Sequence, residues 1–364
     1  METRSILVMN WRDIRNPDAG GAEVFTHEVA KRWVRWGHEV ILLTSRFQGA
    51  ARGESIEGVQ ILRQGDRLTI YRRVRQAFLE RFRGSVDIVL DEINTRPFFA
   101  PRYVDRGTRV FALIYQLARE FWSYETRFPL SVVGRYWLEN RWLRAYRNVP
   151  TFTISESTRQ DLKGLGFQRL HVVPVGLSAT PLNQVSEKEP GPTLAYVARL
   201  KRAKLPSHAL EAFRVLREQL PTARLWVIGD GYLRTRLERR APPGVTFFGK
   251  VSDAEKLELM RRAHILLQPA VREGWGLTVL EANAMGTPAV GYDVPGLRDS
   301  IVHGETGLRV SPANPRALAH VAMGLLVNPS ELMRLANNAL RWSRQFDWGT
   351  SARVMLDHLF TWNS

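Results

Sequence analysis

Two glutamates flank a glycine-rich stretch in the second half of the chain, Glu273–Glu281 (EGWGLTVLE). On one continuous helix the two carboxylates would point about 80° apart, too far around to share a ligand. The glycines at 274 and 276 instead predict a loop carrying Glu273 and a helix that begins near Leu277. Such a break places both carboxylates and several free helical N–H groups on one pocket, where they suit vicinal hydroxyls and phosphate oxygens. In the structural alternative, Glu281 only completes a capping box with Thr278.

Two cations, Arg199 and Lys204, follow the apolar run Leu194–Val197 in the sequence ARLKRAK. Cations at the end of a strand, beside the start of a helix, suit a diphosphate because guanidinium and ammonium groups pair with phosphate oxygens. The alternative is a solvated basic loop, since the chain carries 52 lysines and arginines.

A third candidate is the glycine pair Gly20-Gly21, in a polar loop that follows the first apolar strand and opens a helix near Ala22–Trp36. Paired glycines let the backbone approach a ligand closely, and the first N–H groups of a helix favour an anion. The loop lacks the G-x-G-x-x-G spacing, so a dinucleotide fingerprint is absent. A tight turn between strand and helix is the structural alternative.

These candidates need elements that bring them to one place, and the chain alternates short apolar strands with amphipathic helices. Such strands are typical of parallel sheets buried on both faces. The proline-rich stretch Thr180–Pro192 interrupts the alternation, which then restarts. We therefore predict an α/β protein of two doubly wound domains that face each other across a cleft, because open parallel sheets bind ligands at the carboxyl ends of their strands. The expected strands are Ile6–Met9, Val40–Thr44, Val86–Leu90, Val110–Ile114, Phe152–Ile154, Leu194–Val197, Arg224–Ile228, Val245–Phe248, Ile265–Leu267 and Ala289–Gly291.

The composition excludes several classes of protein. The 364 residues contain no cysteine, which excludes disulfides, thiolate metal sites and cysteine nucleophiles. No apolar run approaches the roughly 20 residues that span a bilayer. The N-terminal residues lack the basic flank and cleavage site of a signal peptide, so a cytoplasmic protein is expected. The net charge of +16 attracts anions and does not by itself choose among nucleic acid, anionic lipid and phosphorylated small molecules.

The motifs, taken in order, resemble those of the retaining glycosyltransferases of family 4, which have the GT-B fold of two Rossmann-like domains. The resemblance covers nearly the full length and is closest over Pro269–Val310. It implies an acceptor-binding domain over residues 1–178, a donor-binding domain over 179–345, and a C-terminal helix, 346–364, that crosses back to the first domain. The matching motifs are Gly20-Gly21-Ala22-Glu23, Gly37-His38-Glu39-Val40, Val173-Pro174-Val175-Gly176, Arg199 with Lys204, Gly229-Asp230-Gly231, Glu273–Glu281, Ala284–Val290 and Gly304–Leu308.

The resemblance implies a hexosyltransferase that moves a sugar from a nucleotide-sugar to an acceptor hydroxyl with retention of configuration. Glu273 would contact the transferred sugar, Glu281 the ribose hydroxyls, and Arg199 and Lys204 would neutralise the departing diphosphate. These fixed cations, and the lack of a D-x-D triplet, predict catalysis without a divalent metal, and no cofactor is expected. The expected catalytic residues are Glu273, Arg199 and Lys204; the expected donor-binding residues are Gly20, Gly21, Arg199, Lys204, Gly231, Val251, Glu273, Gly274, Gly276, Leu277, Thr278 and Glu281.

Acceptor-binding residues are expected after the strands of the first domain, at Asn94, Tyr115 and Glu120. Tyr115 stands where the family often has a histidine near the reacting sugar, and a tyrosine can still hydrogen-bond a sugar hydroxyl. The family's Pro-Asn-Gly-Val-Asp turn reads Pro174–Ser178 (PVGLS) here, which removes two polar side chains.

A basic amphipathic segment, Arg63–Arg83, predicts peripheral contact with an anionic membrane, because seven arginines alternate there with apolar side chains. The expected acceptor is accordingly a lipid, a lipid-linked molecule or a glycan at the membrane surface. A solvated basic face is the alternative. A second group would extend the surface, namely Arg135, Trp137, Arg141, Trp142, Arg144 and Arg147.

Four other functions stay open at this point. A sugar-nucleotide epimerase or a phosphorylase shares the fold, although the sequence shows neither acid–base groups at the sugar nor a site for phosphate or pyridoxal. A basic nucleic-acid-binding protein is favoured only by the charge, since zinc spacings, RNP-type motifs and basic heptads are absent. A sugar-nucleotide-binding protein without catalysis is opposed by the presence of both glutamates and both cations.

Overall fold

The computed structural model describes residues 2–361 of the chain. These residues form two compact units. The first unit contains the chain up to Arg119, the segment Val132–Gly176 and the chain from Asp347 onward; the second contains Glu120–Ser131 and Leu177–Phe346. The segment Glu120–Ser131, which the sequence analysis assigned to the first domain, therefore belongs to the second unit.

The first unit is built on one eight-stranded sheet. Its strands are β1 (Ser5–Met9), β2 (Glu39–Thr44), β3 (Gly53–Ile56), β4 (Val59–Arg63), β5 (Ile88–Glu92), β6 (Arg109–Leu113), β7 (Thr151–Thr153) and β8 (Leu170–Val172). They are ordered β3-β4-β2-β1-β5-β6-β7-β8, and all neighbours are parallel except β3 and β4. The central strand β5 buries every side chain, as a strand covered on both faces must.

The second unit is built on a six-stranded parallel sheet. Its strands are β9 (Thr193–Val197), β10 (Arg224–Ile228), β11 (Val245–Gly249), β12 (Ile265–Gln268), β13 (Ala289–Tyr292) and β14 (Gly307–Val310). The order is β11-β10-β9-β12-β13-β14, so successive strands are added on one side of β9 up to β11 and on its other side from β12 onward. Such a switch point opens a crevice at the carboxyl ends of the two strands, which is where ligands of doubly wound sheets bind.

The helices connect these strands and cover the sheets. Their bounds are α1 (Gly21–Arg35), α2 (Ile70–Ala77), α3 (Arg119–Glu125), α4 (Leu130–Val133), α5 (Glu139–Leu143), α6 (Glu156–Gly164), α7 (Pro206–Gln219), α8 (Arg234–Glu238), α9 (Asp253–Arg262), α10 (Leu277–Ala284), α11 (Leu297–Ser300), α12 (Pro315–Leu326), α13 (Pro329–Ser343) and α14 (Trp348–Thr361). Single turns of 3₁₀ or π geometry stand at Phe78–Phe82, Ala100–Arg102, Gly134–Leu138, Arg144–Tyr146 and Arg202–Lys204. The prediction of two doubly wound α/β units is confirmed.

Helix α14 returns the chain to the first unit, where it packs on α1. Trp33 Nε1 on α1 donates to the carbonyl oxygen of Ala352 at 2.9 Å. The rings of Phe25 and Trp348 meet edge to face, with centroids 5.6 Å apart. The described part of α14 is therefore an integral layer of the first unit.

Strand β5 lies two residues further along the chain than the sequence predicted. Asp91 and Glu92 therefore end a buried strand instead of opening a polar loop. Asp91 accepts hydrogen bonds from the Tyr146 hydroxyl and, at 3.1 Å, from the backbone N–H of Ala100. Burial nevertheless raises the pKa of Asp91 to about 6.

Candidate active site

The switch point of the second sheet brings two predicted residues together. Lys204 ends the 3₁₀ turn after β9, and Glu273 lies in the loop after β12. The Nζ atom of Lys204 lies 2.5 Å from Oε1 of Glu273, and both side chains are largely buried. Gln268 donates a longer hydrogen bond, 3.4 Å, to the same carboxylate oxygen. A cation and a carboxylate from separate loops thus form one compact, charge-assisted pair.

Helix α10 begins at Leu277, as predicted, because Gly276 turns the chain just before it. Gly276 has a left-handed φ of +101°, and a Cβ there would lie 2.7 Å from Oγ of Ser300, so only glycine fits. No side chain caps this helix. Within residues 2–361 no acceptor is assigned to the backbone N–H of Leu277 or of Thr278. The start of α10 is therefore an uncapped helix terminus that suits an anion.

Glu281 pairs with a second lysine. Its Oε1 atom lies 2.9 Å from Nζ of Lys256 on α9. Burial raises the pKa of Glu281, and the charge of Lys256 opposes that rise. The capping-box alternative is wrong, because Gly276 is the N-cap of α10 and Thr278 already lies inside the helix. Lys256 was not predicted, since nothing in its surroundings in the sequence points to Glu281.

The remaining predicted donor-binding residues of the second unit lie on neighbouring loops. Arg199 is half-buried after β9, and Val251 and Gly274 are half-buried as well. Gly231 lies against Leu200, where a Cβ would come within 2.6 Å of the carbonyl oxygen. Gly231 therefore has a packing role, namely the close approach of two loops, that requires no ligand.

Glu120 forms an ion pair with a residue in a loop of the second unit. Its Oε2 atom lies 2.8 Å from Nε of Arg272, the residue before Glu273. The sequence analysis assigned Glu120 to acceptor binding, and the structure instead places its carboxylate on the loop that carries Glu273. Arg272 was missed because its position beside Glu273 resembles ordinary loop polarity.

Glu125 secures the other loop of the site. One carboxylate oxygen accepts from the backbone N–H of Ala203 at 2.8 Å, and the other accepts from the Tyr232 hydroxyl at 2.7 Å. Ala203 directly precedes Lys204. The segment Glu120–Ser131 thus holds both loops of the lysine–glutamate pair, an arrangement that no local pattern in the sequence predicts.

In the first unit, Tyr115 lies in a buried network below the strand ends. Its hydroxyl lies 2.9 Å from Oγ1 of Thr26 and donates to Oε2 of Glu92 at 3.3 Å. Asn10 and Thr26 donate to the same carboxyl oxygen, at 2.5 and 2.7 Å. Burial raises the pKa of Glu92 to about 8 and raises that of Tyr115. The Tyr115 hydroxyl is therefore directed inside the unit rather than toward the surface where an acceptor was expected.

Asn94 and the glycine loop lie next to this network. Asn94 donates to Oδ1 of Asn10 at 2.9 Å. Gly20 precedes α1, and its N–H donates to Oε2 of Glu23 at 2.7 Å, while Gly21 is exposed. Arg12 donates to Oε1 of Glu23 at 3.0 Å. The loop is thus stabilised from within, and only its later N–H groups can meet a ligand.

The family of the chain follows from comparisons with known proteins. The sequence profile of the family described as "Glycosyltransferase Family 4" matches residues 19–180, and that of "Glycosyl transferases group 1" matches residues 181–342. A glycogen synthase of Mycobacterium tuberculosis is 31% identical over 200 residues, which are 53% of this chain and 48% of that enzyme. The chain spans about half the length of the curated relatives it matches.

Two solved structures show the fold over the whole chain. WaaG, a glycosyltransferase involved in lipopolysaccharide biosynthesis, has a TM-score of 0.78 at 20% identity, covering 98% of this chain and all of that one. Anabaena Alr3699/HepE in complex with UDP-glucose has a TM-score of 0.71 at 17% identity, covering 98% and 99%. Two Rossmann-like sheets with these neighbours define a protein of the GT-B fold. Within that class, the chain belongs to the glycosyltransferases of the family 4 type.

Proposed function

We propose that this chain transfers a sugar from a nucleotide-sugar to an acceptor hydroxyl, and that its second unit binds the donor. The observation that carries the proposal is the Lys204–Glu273 pair at the switch point, beside the uncapped start of α10. A cation, a carboxylate and free N–H groups are what the reacting end of a diphosphate-linked sugar requires. The Anabaena neighbour, solved with UDP-glucose, supports a donor of this class.

In the proposed reaction the bond between the anomeric carbon and the diphosphate oxygen breaks, and its electron pair moves to the phosphate. Lys204, Arg199 and the first N–H groups of α10 stabilise the charge that develops there, so no divalent metal is needed. The acceptor hydroxyl attacks the same face of the sugar, and its proton passes to the departing phosphate oxygen. Attack on that face retains the anomeric configuration.

Donor binding would rearrange the ion pairs of Lys204 and Glu281. Its diphosphate replaces Glu273 as the partner of Lys204, which frees the Glu273 carboxylate for hydroxyls of the transferred sugar. Glu281 accepts from the ribose hydroxyls. Lys256, 2.9 Å from Glu281, favours the ionised carboxylate that this contact requires.

A donor panel tests the proposal. The chain is mixed with UDP-, GDP- and ADP-linked sugars, and binding is followed by thermal shift and by donor hydrolysis. We expect one base to stabilise the chain, and Lys204→Met to abolish the response. Lys163→Ala, which removes an exposed lysine of α6 in the first unit, serves as the charge-matched control. The proposal would be contradicted if no nucleotide-sugar raised the thermal midpoint or was hydrolysed. It would also be contradicted if the Lys204→Met variant bound and hydrolysed the donor like the wild type.

The acceptor is proposed to be a lipid or lipid-linked molecule at the cytoplasmic face of the membrane. The structure corrects the surface expected for this contact. Within Arg63–Arg83, the apolar side chains of Ile70, Val74 and Phe78 are buried in the core of the first unit, and Arg63 itself is buried against Asp13. In this segment the exposed large apolar side chains are Leu68 and Leu79.

The segment Val132–Trp137 of the first unit offers a larger apolar surface. Tyr136 is 65% exposed and Trp137 55% exposed. Patches of this kind mark interaction sites, and aromatic rings beside arginines suit the headgroup region of an anionic bilayer. No helix within residues 2–361 is both long and apolar enough to cross a membrane. The exposed large apolar residues of this segment are Val132, Val133, Tyr136 and Trp137.

Flotation with lipid vesicles tests the membrane proposal. At low salt we expect the chain to float with vesicles rich in anionic lipid and to stay behind with neutral ones. The double variant Tyr136→Ser/Trp137→Ser should lose most of the floated fraction. Val327→Ser/Met333→Ser, which alters exposed apolar residues of the second unit, should keep it. Equal loss in both variants, or no flotation of the wild type, would remove the proposal.

A further inference from the structure

The second unit contains a cavity of about 400 Å³ between α7 and α8. None of the four charged residues proposed to bind the donor lines it. Part of the lining is apolar, with the buried side chains of Leu210 on α7 and Leu237 on α8. Cavities of this size that combine apolar walls with a few convergent polar groups are typical of small-molecule sites.

Four arginines line the cavity against a single acidic residue, Glu211; they are Arg202, Arg214, Arg236 and Arg240. Elsewhere on α8, Arg234 is neutralised by Glu238 at 2.8 Å. Among the residues that the structure describes, no carboxylate lies within ion-pair distance of Arg202, Arg236 or Arg240. The positive charge along the cavity is thus not neutralised by ion pairs at Arg202, Arg236 or Arg240.

The spacing of these arginines concentrates positive charge at one end of the cavity. Arg236 lies on α8 and Arg240 lies two residues beyond its end, and like charges that line one cavity repel each other. Arg214, on α7, donates to the backbone carbonyl of Arg240 at 3.2 Å, which brings a third guanidinium to the same end. A bound anion would relieve this repulsion.

We propose that this cavity binds a small phosphorylated molecule whose body is apolar or aromatic. Guanidinium groups bind phosphate oxygens through paired, planar hydrogen bonds. The leucines cover an apolar body, and Tyr124, 38% exposed, adds an aromatic ring to the lining. Arg202 opens the turn that ends at Lys204, so the ligand lies next to the loop that carries the proposed diphosphate cation.

Calorimetric titration of the full chain at low ionic strength tests the site, with phenyl phosphate and inorganic phosphate as probes. We expect phenyl phosphate to bind at one site, about tenfold more tightly than inorganic phosphate, because the ring adds apolar contact. Arg236→Ala/Arg240→Ala should weaken phenyl phosphate by more than about tenfold. Arg239→Ala/Arg316→Ala, which removes two exposed arginines outside the cavity, should leave the affinity within about twofold of the wild type.

A third variant, Lys204→Met, separates this site from the proposed donor site. Phenyl phosphate binding that survives Lys204→Met supports the cavity, whether or not the chain binds nucleotide-sugars. Binding that is lost in Lys204→Met and kept in Arg236→Ala/Arg240→Ala places the probe at the diphosphate cation and overturns the inference. Equal loss in the Arg239→Ala/Arg316→Ala control shows a general charge effect and overturns it too, as does the absence of saturable binding in the folded wild type.

Discussion

Lys204→Met should damage both the stability of the second unit and catalysis. The side chains of Lys204 and Glu273 are 17% and 11% exposed, and their charged atoms lie 2.5 Å apart. At that distance and an effective dielectric constant of about 20, the attraction is roughly 6–7 kcal/mol. Desolvation of both groups offsets most of it, so we expect the variant to lose about 1–3 kcal/mol, because Glu273 keeps only its long hydrogen bond from Gln268.

The two effects can be measured separately. A loss of about 2 kcal/mol lowers the thermal midpoint of a unit of this size by about 4–8 °C. Loss of one cation at the departing diphosphate should reduce turnover by about 10²–10³-fold. The double variant Lys204→Met/Glu273→Gln removes the unpaired carboxylate and should regain most of the thermal midpoint, while turnover stays low.

The same double variant can refute the proposed role of Lys204 at the diphosphate. If Lys204→Met/Glu273→Gln regains turnover together with stability, Lys204 only compensates the buried Glu273 and has no role at the diphosphate. If the single variant keeps its thermal midpoint, the pair described here does not stabilise the unit.

Three further predictions follow from other contacts. Gly276→Ala should destabilise the second unit by about 1–3 kcal/mol in urea unfolding and raise the donor KM, because the backbone is left-handed there and the added Cβ would lie 2.7 Å from Oγ of Ser300; an unchanged midpoint would contradict this. Burial raises the pKa of Glu92 from 4.5 to about 8, so the folded chain holds a proton that the unfolded chain releases, and stability should fall from about pH 4.5 to pH 8 by up to about 1.4 kcal/mol per pH unit. Glu92→Gln should flatten that slope in urea unfolding at pH 5, 6.5 and 8, and a slope that persists would refute the assignment. Glu125→Ala should raise the donor KM several-fold with little change in kcat, because it releases the N–H of Ala203 beside Lys204; steady-state kinetics with unchanged KM would show that the segment does not position the loop.

Much of the fold follows from the sequence, because short apolar runs that alternate with amphipathic helices are typical of the strands of a buried parallel sheet. The strands β9 to β13 lie where the runs predict them, to within one residue at either end. The hairpin of β3 and β4 was missed, since Gly53–Ile56 is mostly polar and lies at the edge of the sheet. Strand β5 was predicted two residues too early, because acidic residues such as Asp91 and Glu92 usually lie in loops. Only the folded structure shows the hydrogen-bond donors that stabilise these two carboxyl groups in the core.

The sequence predicts which residues belong to the candidate site better than it predicts the contacts between them. The glycines at 274 and 276 lie in a loop just before α10, and they separate Glu273 from the helix as the spacing predicts. The pairing of each glutamate with its own lysine was not predictable, because Lys204 and Lys256 resemble other basic residues of a chain rich in them. The roles of Glu120 and Glu125 depend on which unit the segment Glu120–Ser131 packs against, and no periodicity in the sequence reports that.

A crystal structure of the chain with the nucleoside diphosphate that stabilises it most would test the central claim most directly. We predict diphosphate oxygens within hydrogen-bond distance of Nζ of Lys204 and of the N–H groups of Leu277 and Thr278. We also predict the ribose hydroxyls on Glu281 and a Lys204–Glu273 distance longer than the present 2.5 Å. A nucleotide bound away from α10, with the lysine–glutamate pair intact, would contradict the account.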